Sequence, residues 1–351
     1  MMSNQKIILS EQLETALATA ITECEYDRMF ILVDVNTQRL CLPLVSSLPE
    51  IEKAQLITIG ATDESKTIDT LVSVWSALGS GGATRHSLML NLGGGMVTDL
   101  GGFAASTFKR GISYINIPTT LLAMVDASVG GKTGINFRGL KNEIGVFNNA
   151  QSVILNTQFL KTLDRENICS GYAEMLKHGL ISNESMWAEL LNFDLDQPDY
   201  WRLQSMVADS VAVKERIVNE DPTERGLRKA LNLGHTIGHA FESLALARHT
   251  PLLHGYAVAY GLGCELYLSC LKTGFPTEQM HQAMHFIRNY YGRMDFSCKD
   301  YSTLLELMTH DKKNTAGQIN FTLLGGIGDI RINQIATQEE IIAALDFYRE
   351  S

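Results

Sequence analysis

Paired cysteines are missing from this chain. The six present (Cys24, Cys41, Cys169, Cys264, Cys270 and Cys298) are scattered and none forms a CxxC. That argues against a zinc ribbon or a disulfide framework and reads as the reduced thiols of a cytoplasmic protein. Excess positive charge is missing too: 39 acidic residues face 29 basic ones, a formal net charge of -10. No broad nucleic-acid footprint is expected, although a local basic pocket for an anionic substrate is permitted. The start, MMSNQKIILSEQLETAL, has no basic stretch leading into an apolar core, so no secretory signal is expected. The longest apolar runs, such as 254–269, are broken by glycine, histidine and glutamate. None reaches the roughly 20 apolar residues of a membrane span. Internal repeats, low-complexity tracts and flexible linkers are also absent.

What remains is 351 residues of ordinary globular composition, 45% hydrophobic and 19% charged. Single cores seldom grow past about 250–300 residues, which predicts two domains. Residues 1–157 alternate β-branched runs with glycine-rich turns and helical stretches. MFILVDVNT (29–37), AQLITIGA (54–61), HSLMLNLGGG (86–95), ISYINIPTT (112–120) and QSVILNT (151–157) read as strands, and 67–80 as an amphipathic helix. Strands alternating with helices imply a mainly parallel α/β sheet. Residues 158–351 are mainly helical, with apolar spacing of three and four in 186–191, 203–218, 230–246, 256–272 and 277–291. A hairpin over 318–332 and a helix over 337–349 close the chain.

Two glycine-rich segments point to anions. LNLGGGMVTDLGGF (90–103) places three glycines between a strand and a helix, where backbone N–H groups suit a pyrophosphate. It is not GxGxxG, because Thr98 sits where the third glycine belongs, and a tight structural turn would look similar. DASVGGKTG (126–134) fails as a P-loop, since Asp126 occupies the position of its first glycine. Lys132 and Lys141 around this loop favour an anion site over a merely solvated turn.

A metal is suggested further on. LNLGHTIGHAFE (231–242) holds His235 and His239 four residues apart, on one face of a helix. Thr236 takes the place of the metalloprotease glutamate. His254 follows in LLHGYAVAYG, and Glu174 and Lys177 lie one turn apart in GYAEMLKHGL. Spacing alone leaves open which two histidines bind; His235 with His239 is the default for a single helix. A carboxylate with two imidazoles and open positions suits catalytic zinc or a similar divalent ion. The charges of 211–232 and of MTHDKKN (308–314) are equally compatible with a solvated face.

Taken together, GGGMVTD (93–99), KRGISYINIPTTLLAMVDASVGGKTG (109–134), KNEIGVF (141–147), GYAEMLKHG (171–179), EDPTERGLRKALNLGHTIGHAFE (220–242), HGYAVAYG (254–261) and HDKK (310–313) resemble the 3-dehydroquinate synthase family of sugar-phosphate cyclases. The resemblance runs in family order from about residue 30 to 330. It implies a Rossmann-like NAD-binding N-terminal domain and an α-helical, metal- and substrate-binding C-terminal domain. The implied reaction converts 3-deoxy-D-arabino-heptulosonate 7-phosphate to 3-dehydroquinate and phosphate in the shikimate pathway, with no net redox change. The cofactors would be NAD and zinc, cobalt or another divalent ion. A sibling cyclase making an inosose or valiolone, and a metal-dependent polyol dehydrogenase, are the rival readings.

By matching position, the resemblance makes Glu174, His235 and His254 the metal ligands. His239 would instead sit near the substrate phosphate with Lys132, Asn142, Asn232 and Lys312. Arg110 would reach that phosphate from a second subunit, implying a homodimer. Lys214 and Arg228 would pair with the substrate carboxylate; Asp126, Lys177 and Glu224 would hold hydroxyls and waters. For NAD, Gly95 to Asp99 would hold the pyrophosphate, Thr119, Thr120, Lys132, Lys141, Phe159 and Thr162 would line the site, and Asp34 and Lys66 match the adenosine end. The family's GE-x-x-K reads TDESK here, with Asp63 in place of glutamate, and Asn148-Asn149-Ala150 replaces the common Gln-Pro ending after KNEIGVF.

Overall fold

A computed structural model describes residues 5–138, 140–309 and 318–351. It divides the chain into two compact units: Met1–Asp164 with Tyr200–Val211, and Arg165–Asp199 with Ala212–Ser351. The sequence alone places the division at 157/158; here the first unit runs on to Asp164 and regains the first part of the Tyr200–Glu220 helix.

The first unit is built on a six-stranded sheet. Its strands are β1 (Lys6–Leu9), β2 (Met29–Asp34), β3 (Gln55–Ile59), β4 (Leu88–Gly93), β5 (Ser113–Pro118) and β8 (Ser152–Leu155), in the order β1-β8-β5-β4-β2-β3. Every pairing is parallel. β2 reads MFILVD and is buried at each position, the unbroken apolar run of a sheet covered on both faces. From β2 the chain moves outward to β3, returns to lay β4 against the other side of β2, and continues to β5. The strand order therefore reverses between β2 and β4, and such a switch point is where open α/β sheets take ligands. Asp34 and Gly93 end those two strands.

β4 leads directly into the Gly95–Thr107 helix, which lies unusually close to the sheet. A β-carbon on Gly101 would stand 2.2 Å from Asn91 Oδ1. Asn91 in turn donates to Asn116 Oδ1 across the β4/β5 pair at 2.9 Å. β1 and the antiparallel hairpin of β6 (Lys132–Phe137) with β7 (Leu140–Phe147) escape the sequence reading. β1 has only four residues, and β7 is exposed along its whole length, so neither carries a burial pattern to read.

The second unit is mainly helical. Its helix His254–Thr273 packs against helices Arg165–Ser182, His235–Ala247, Thr277–Tyr291 and Gln338–Glu350 and against strand β9 (Asn320–Gly326). β9 pairs antiparallel with β10 (Asp329–Ile335), as the expected hairpin. Arg165–Ser182 is buried continuously from Ile168 to Ile181, polar residues included, as befits a helix enclosed on all sides. The stretch 230–246 is not one helix. A 3₁₀ turn over Leu227–Asn232 gives way to the His235–Ala247 helix through Gly234, whose φ of +81° suits glycine and breaks the periodicity.

Candidate metal centre and nucleotide-binding unit

Three segments of the second unit are drawn together by glycines on one helix. A β-carbon on Gly255 would lie 1.8 Å from Ser170 O, and one on Gly261 would lie 2.0 Å from Gly234 O. The first contact brings the start of His254–Thr273 onto the helix that carries Glu174. The second brings the same helix onto the segment that opens at His235. Gly255 N also donates to Ser170 Oγ at 3.1 Å.

The result is a tight group of donors. Glu174 Oε1 lies 3.3 Å from His235 Nε2 and 3.3 Å from His254 Nε2. The ligand atoms of Glu174, His235 and His254 all fall within 4.8 Å of one another. His239 keeps its ring 5.3 Å from that of His235 and 6.0 Å from that of His254, but the group formed within this unit joins His235 to the more distant His254. Each of these two rings has its other nitrogen turned to an acceptor: His235 Nδ1 to Leu233 O at 3.1 Å, and His254 Nδ1 to Glu242 Oε2 at 3.5 Å. Both Nε2 atoms therefore point at one carboxylate oxygen, and with both imidazoles neutral the three atoms make a donor set for a cation.

Glu174 is fully buried, and neither of its oxygens accepts a hydrogen bond of good geometry among the described residues. The buried Lys177 ammonium pairs with Oε2. Burial opposes the charge on Glu174, yet Lys177 and His235 hold its carboxyl well below the usual range. Burial pushes His235 down to about 3. It works against a proton on His254 as well, but the bonds to Glu174 and Glu242 outweigh it and raise that imidazole to about 10.

Next along the chain, Asp221 organises a loop. Its carboxylate accepts from the backbone N–H of Arg225, Gly226 and Arg228 at 3.0, 2.6 and 3.1 Å. The loop holds Glu224 in a left-handed conformation (φ +61°), and Asn232 Nδ2 donates to its Oε1 at 3.0 Å. Arg228 is buried, with Nη1 donating to Pro222 O at 2.7 Å. Lys214 is buried as well. Lys312 lies outside the described residues.

In the first unit, Asp34 caps the helix Val35–Leu40, accepting from Asn36 N and Thr37 N at 2.7 and 3.0 Å. The buried Lys66 pairs with Asp99 Oδ2 at 2.5 Å and also reaches Asn142 Oδ1. Asn142 thus lies with Lys66 and Asp99, held further by Asn136 Oδ1, which accepts from its N–H at 2.9 Å. Asn136 Nδ2 donates to Asp63 Oδ2 at 2.9 Å, and Lys141 lies 3.7 Å from the same carboxylate. Among the described residues no side chain caps the start of the Gly95–Thr107 helix. At its start a β-carbon on Gly94 would sit 3.0 Å from Thr120 Cγ2, and one on Gly95 3.1 Å from Ala127 Cβ. Thr119 N bonds Gly93 O at 3.0 Å, and Thr162 Oγ1 lies 3.7 Å from Cys41 Sγ and donates to Phe159 O. Phe159 is buried; Asp126 is half-buried in a π-helical turn; Lys132 and Arg110 are exposed, Arg110 with a φ of +71°.

Sequence reasoning passed over three carboxylates. Asp221 is one. Glu242 is the second, although it stands seven residues after His235 and so on the same helical face. The third, Glu265, is fully buried and accepts from Gly234 N and Ile237 N at 2.6 and 3.1 Å. It caps the His235 helix from outside, since Gly234 has no side chain to do so.

The chain is similar to known proteins along its length. The N-terminal family of 3-dehydroquinate synthases matches residues 56–170, and the C-terminal family matches 171–314. A 3-dehydroquinate synthase of Parabacteroides distasonis is 56% identical over 350 residues, covering 100% of this chain and 99% of the relative. That of Oceanobacillus iheyensis is 38% identical over 330 residues, covering 93% and 90%. Among solved structures, a 2-epi-5-epi-valiolone synthase of Streptomyces hygroscopicus, with NAD+ and Zn2+ bound, superposes with a TM-score of 0.86 at 26% identity, covering 100% of this chain and 98% of that one. The chain belongs to the 3-dehydroquinate synthase family.

Proposed function

We propose that this chain converts 3-deoxy-D-arabino-heptulosonate 7-phosphate to 3-dehydroquinate and phosphate, using catalytic NAD and one divalent metal ion. The observation that carries the reading is the convergence of Glu174, His235 and His254 in a chain 56% identical, end to end, to a 3-dehydroquinate synthase.

The residues fit both groups. For the metal, a buried carboxylate, paired with Lys177 at Oε2, turns Oε1 toward two imidazoles whose Nδ1 atoms already face acceptors. One oxygen and two nitrogen donors suit zinc, and cobalt fits the same set. For NAD, the uncapped start of the Gly95–Thr107 helix leaves its first N–H groups for a pyrophosphate, and Gly94 and Gly95 leave no side chain in the way. Lys66, Asp99 and Asp63 would serve the remainder of the dinucleotide, with Asp34, Thr119, Thr120, Lys141, Phe159 and Thr162. Bound there, NAD would supply a reversible hydride acceptor for the substrate's C5 carbon, and a divalent ion held by Glu174, His235 and His254 would supply a Lewis acid for the hydroxyl on it.

The chain's own residues position the substrate. Lys214 and Arg228 neutralise its carboxylate, and Arg228 is held for the task by Pro222 O and by the Asp221 cage. Glu224, braced by Asn232, and Lys177 take hydroxyls and waters; Asn232 and His239 face the phosphate. The family resemblance also assigns to the substrate Asp126, Lys132, Asn142, Lys312 and, from a second copy of the chain, Arg110. A homodimer follows from that use of Arg110. A cytoplasmic location agrees with six free cysteines, and no helix among the described residues is long and apolar enough to cross a membrane.

The test supplies purified protein with zinc, substoichiometric NAD and the heptulosonate phosphate. Phosphate release without net NADH is the expected result. No release contradicts the proposal, NADH accumulation indicates a polyol dehydrogenase, and release only from another sugar phosphate indicates a sibling cyclase.

A further inference from the structure

His235 and His254 are oriented by different means. The acceptor for His235 Nδ1 is a main-chain carbonyl, Leu233 O, fixed by the turn into the helix. The acceptor for His254 Nδ1 is a side chain, Glu242 Oε2 at 3.5 Å. His254 needs such a device more. It is the first residue of its helix, its side chain is 29% exposed where that of Glu174 is 0%, and among the described residues no side chain caps the helix start beside it. An imidazole in that position has room to turn.

Glu242 is well placed to stop it. It lies on the His235–Ala247 helix, two turns beyond His235 and on the same face, and is itself largely buried. One helix thus offers a ligand directly and also the carboxylate that braces the other histidine. The His254 ring is held at both edges, by Glu174 at Nε2 and by Glu242 at Nδ1.

We propose that Glu242 is a positioning residue of the metal centre: its carboxylate accepts the Nδ1–H of His254, fixes the ring with Nε2 toward Glu174, and sets how tightly a divalent ion is retained. The physical reason is general. An acceptor behind a ligating imidazole fixes its tautomer and raises its donor strength, and losing one weakens metal binding by about 10–100-fold. The inference rests on the reading of Glu174, His235 and His254 as metal ligands, and its test separates the two.

The metal-free protein is titrated with zinc against a chromophoric chelator, as wild type, Glu242→Gln, Glu242→Ala and His254→Ala. Glu242→Gln keeps the size of the side chain and exchanges its charge for a weaker acceptor. It should bind zinc about 10-fold more weakly, and Glu242→Ala nearer 100-fold. With cobalt in place of zinc, the visible absorption of Glu242→Gln should shift, because the ligand ring is no longer fixed. A role confined to folding would lower the melting temperature of the metal-free protein and leave zinc affinity and the cobalt spectrum as in wild type; that outcome overturns the role of Glu242. Wild-type protein that fails to hold zinc overturns the metal-centre reading itself. Should Glu242→Ala not fold, the near-isosteric Gln variant decides the question alone.

Discussion

Gly261 lies against Gly234 so closely that a β-carbon on it would stand 2.0 Å from the Gly234 carbonyl oxygen. The obstacle is backbone and cannot swing aside as a side chain would. Because His235 follows Gly234 and His254 opens the helix that holds Gly261, this contact sets the distance between two imidazoles. Gly261→Ala should therefore destabilise the protein by about 1–3 kcal/mol through overpacking, and weaken zinc binding as well. Gly79→Ala provides the control. Among the described residues nothing lies within 4 Å of a β-carbon at Gly79, in the helix Ile68–Ser80. That change should stabilise by about 0.5–1 kcal/mol and leave zinc binding alone. Melting curves and a chelator titration on both variants check the contrast.

Lys177 and Glu174 form an ion pair at side-chain exposures of 1% and 0%. Lys177→Met leaves the Glu174 carboxylate buried without its cation. The metal-free variant should lose about 3–5 kcal/mol, and much of that loss should return when zinc supplies a positive charge. Denaturant melts with and without zinc measure it. Equal losses in both states would mean that the metal does not sit on Glu174.

The Asp221 carboxyl is lowered from 3.8, first by the hydrogen bond from Gly226 N and then by those from Arg225 N and Arg228 N, which together outweigh the opposing effect of burial. A depressed pKa means stabilisation that is complete above the unfolded value and lost as pH falls through the folded one. Asp221→Asn should therefore melt below wild type by a constant margin at neutral pH, with the margin narrowing below pH 3.8. Melting temperature against pH gives the result. A margin unchanged through acid would show that the charge of Asp221 is not what holds the loop.

Asp34 has one role in the structure and another proposed. It caps the helix Val35–Leu40, and the proposed function sets it at the adenosine end of NAD. Asp34→Ala should cost about 0.5–2 kcal/mol in stability through the lost cap. Asp34→Asn keeps a good cap, so a fall in NAD affinity in that variant isolates the recognition role. Isothermal titration with NAD, beside melting curves, separates the two effects.

Much of this was legible in the residues. β2, β4, β5 and β8 announced themselves as short apolar runs because a doubly covered sheet needs apolar side chains on both faces. β6 and β7 did not: their glycines serve a close backbone approach, and β7 buries nothing. Helical periodicity found the helices of the second unit but ran through Gly234, where a left-handed residue ends one segment and starts the next. Histidine spacing brought out the metal-like cluster yet favoured His239, since periodicity compares residues within one helix. The approach of His254 depends on Gly255 and Gly261 meeting Ser170 and Gly234, contacts between segments distant in sequence. The residues alone left His254 as one of three candidates, and the family resemblance preferred it to His239. Glu242 was within reach of the same helical spacing and was overlooked because a glutamate on a helix is ordinarily solvated.

The central claim is that Glu174, His235 and His254 hold the metal and that His239 serves the substrate instead. Elemental analysis of two variants after dialysis against metal-free buffer tests it most directly. His254→Ala should retain almost no zinc, whereas His239→Ala should retain about one zinc per chain and lose turnover. Zinc kept by His254→Ala and lost by His239→Ala would contradict the account.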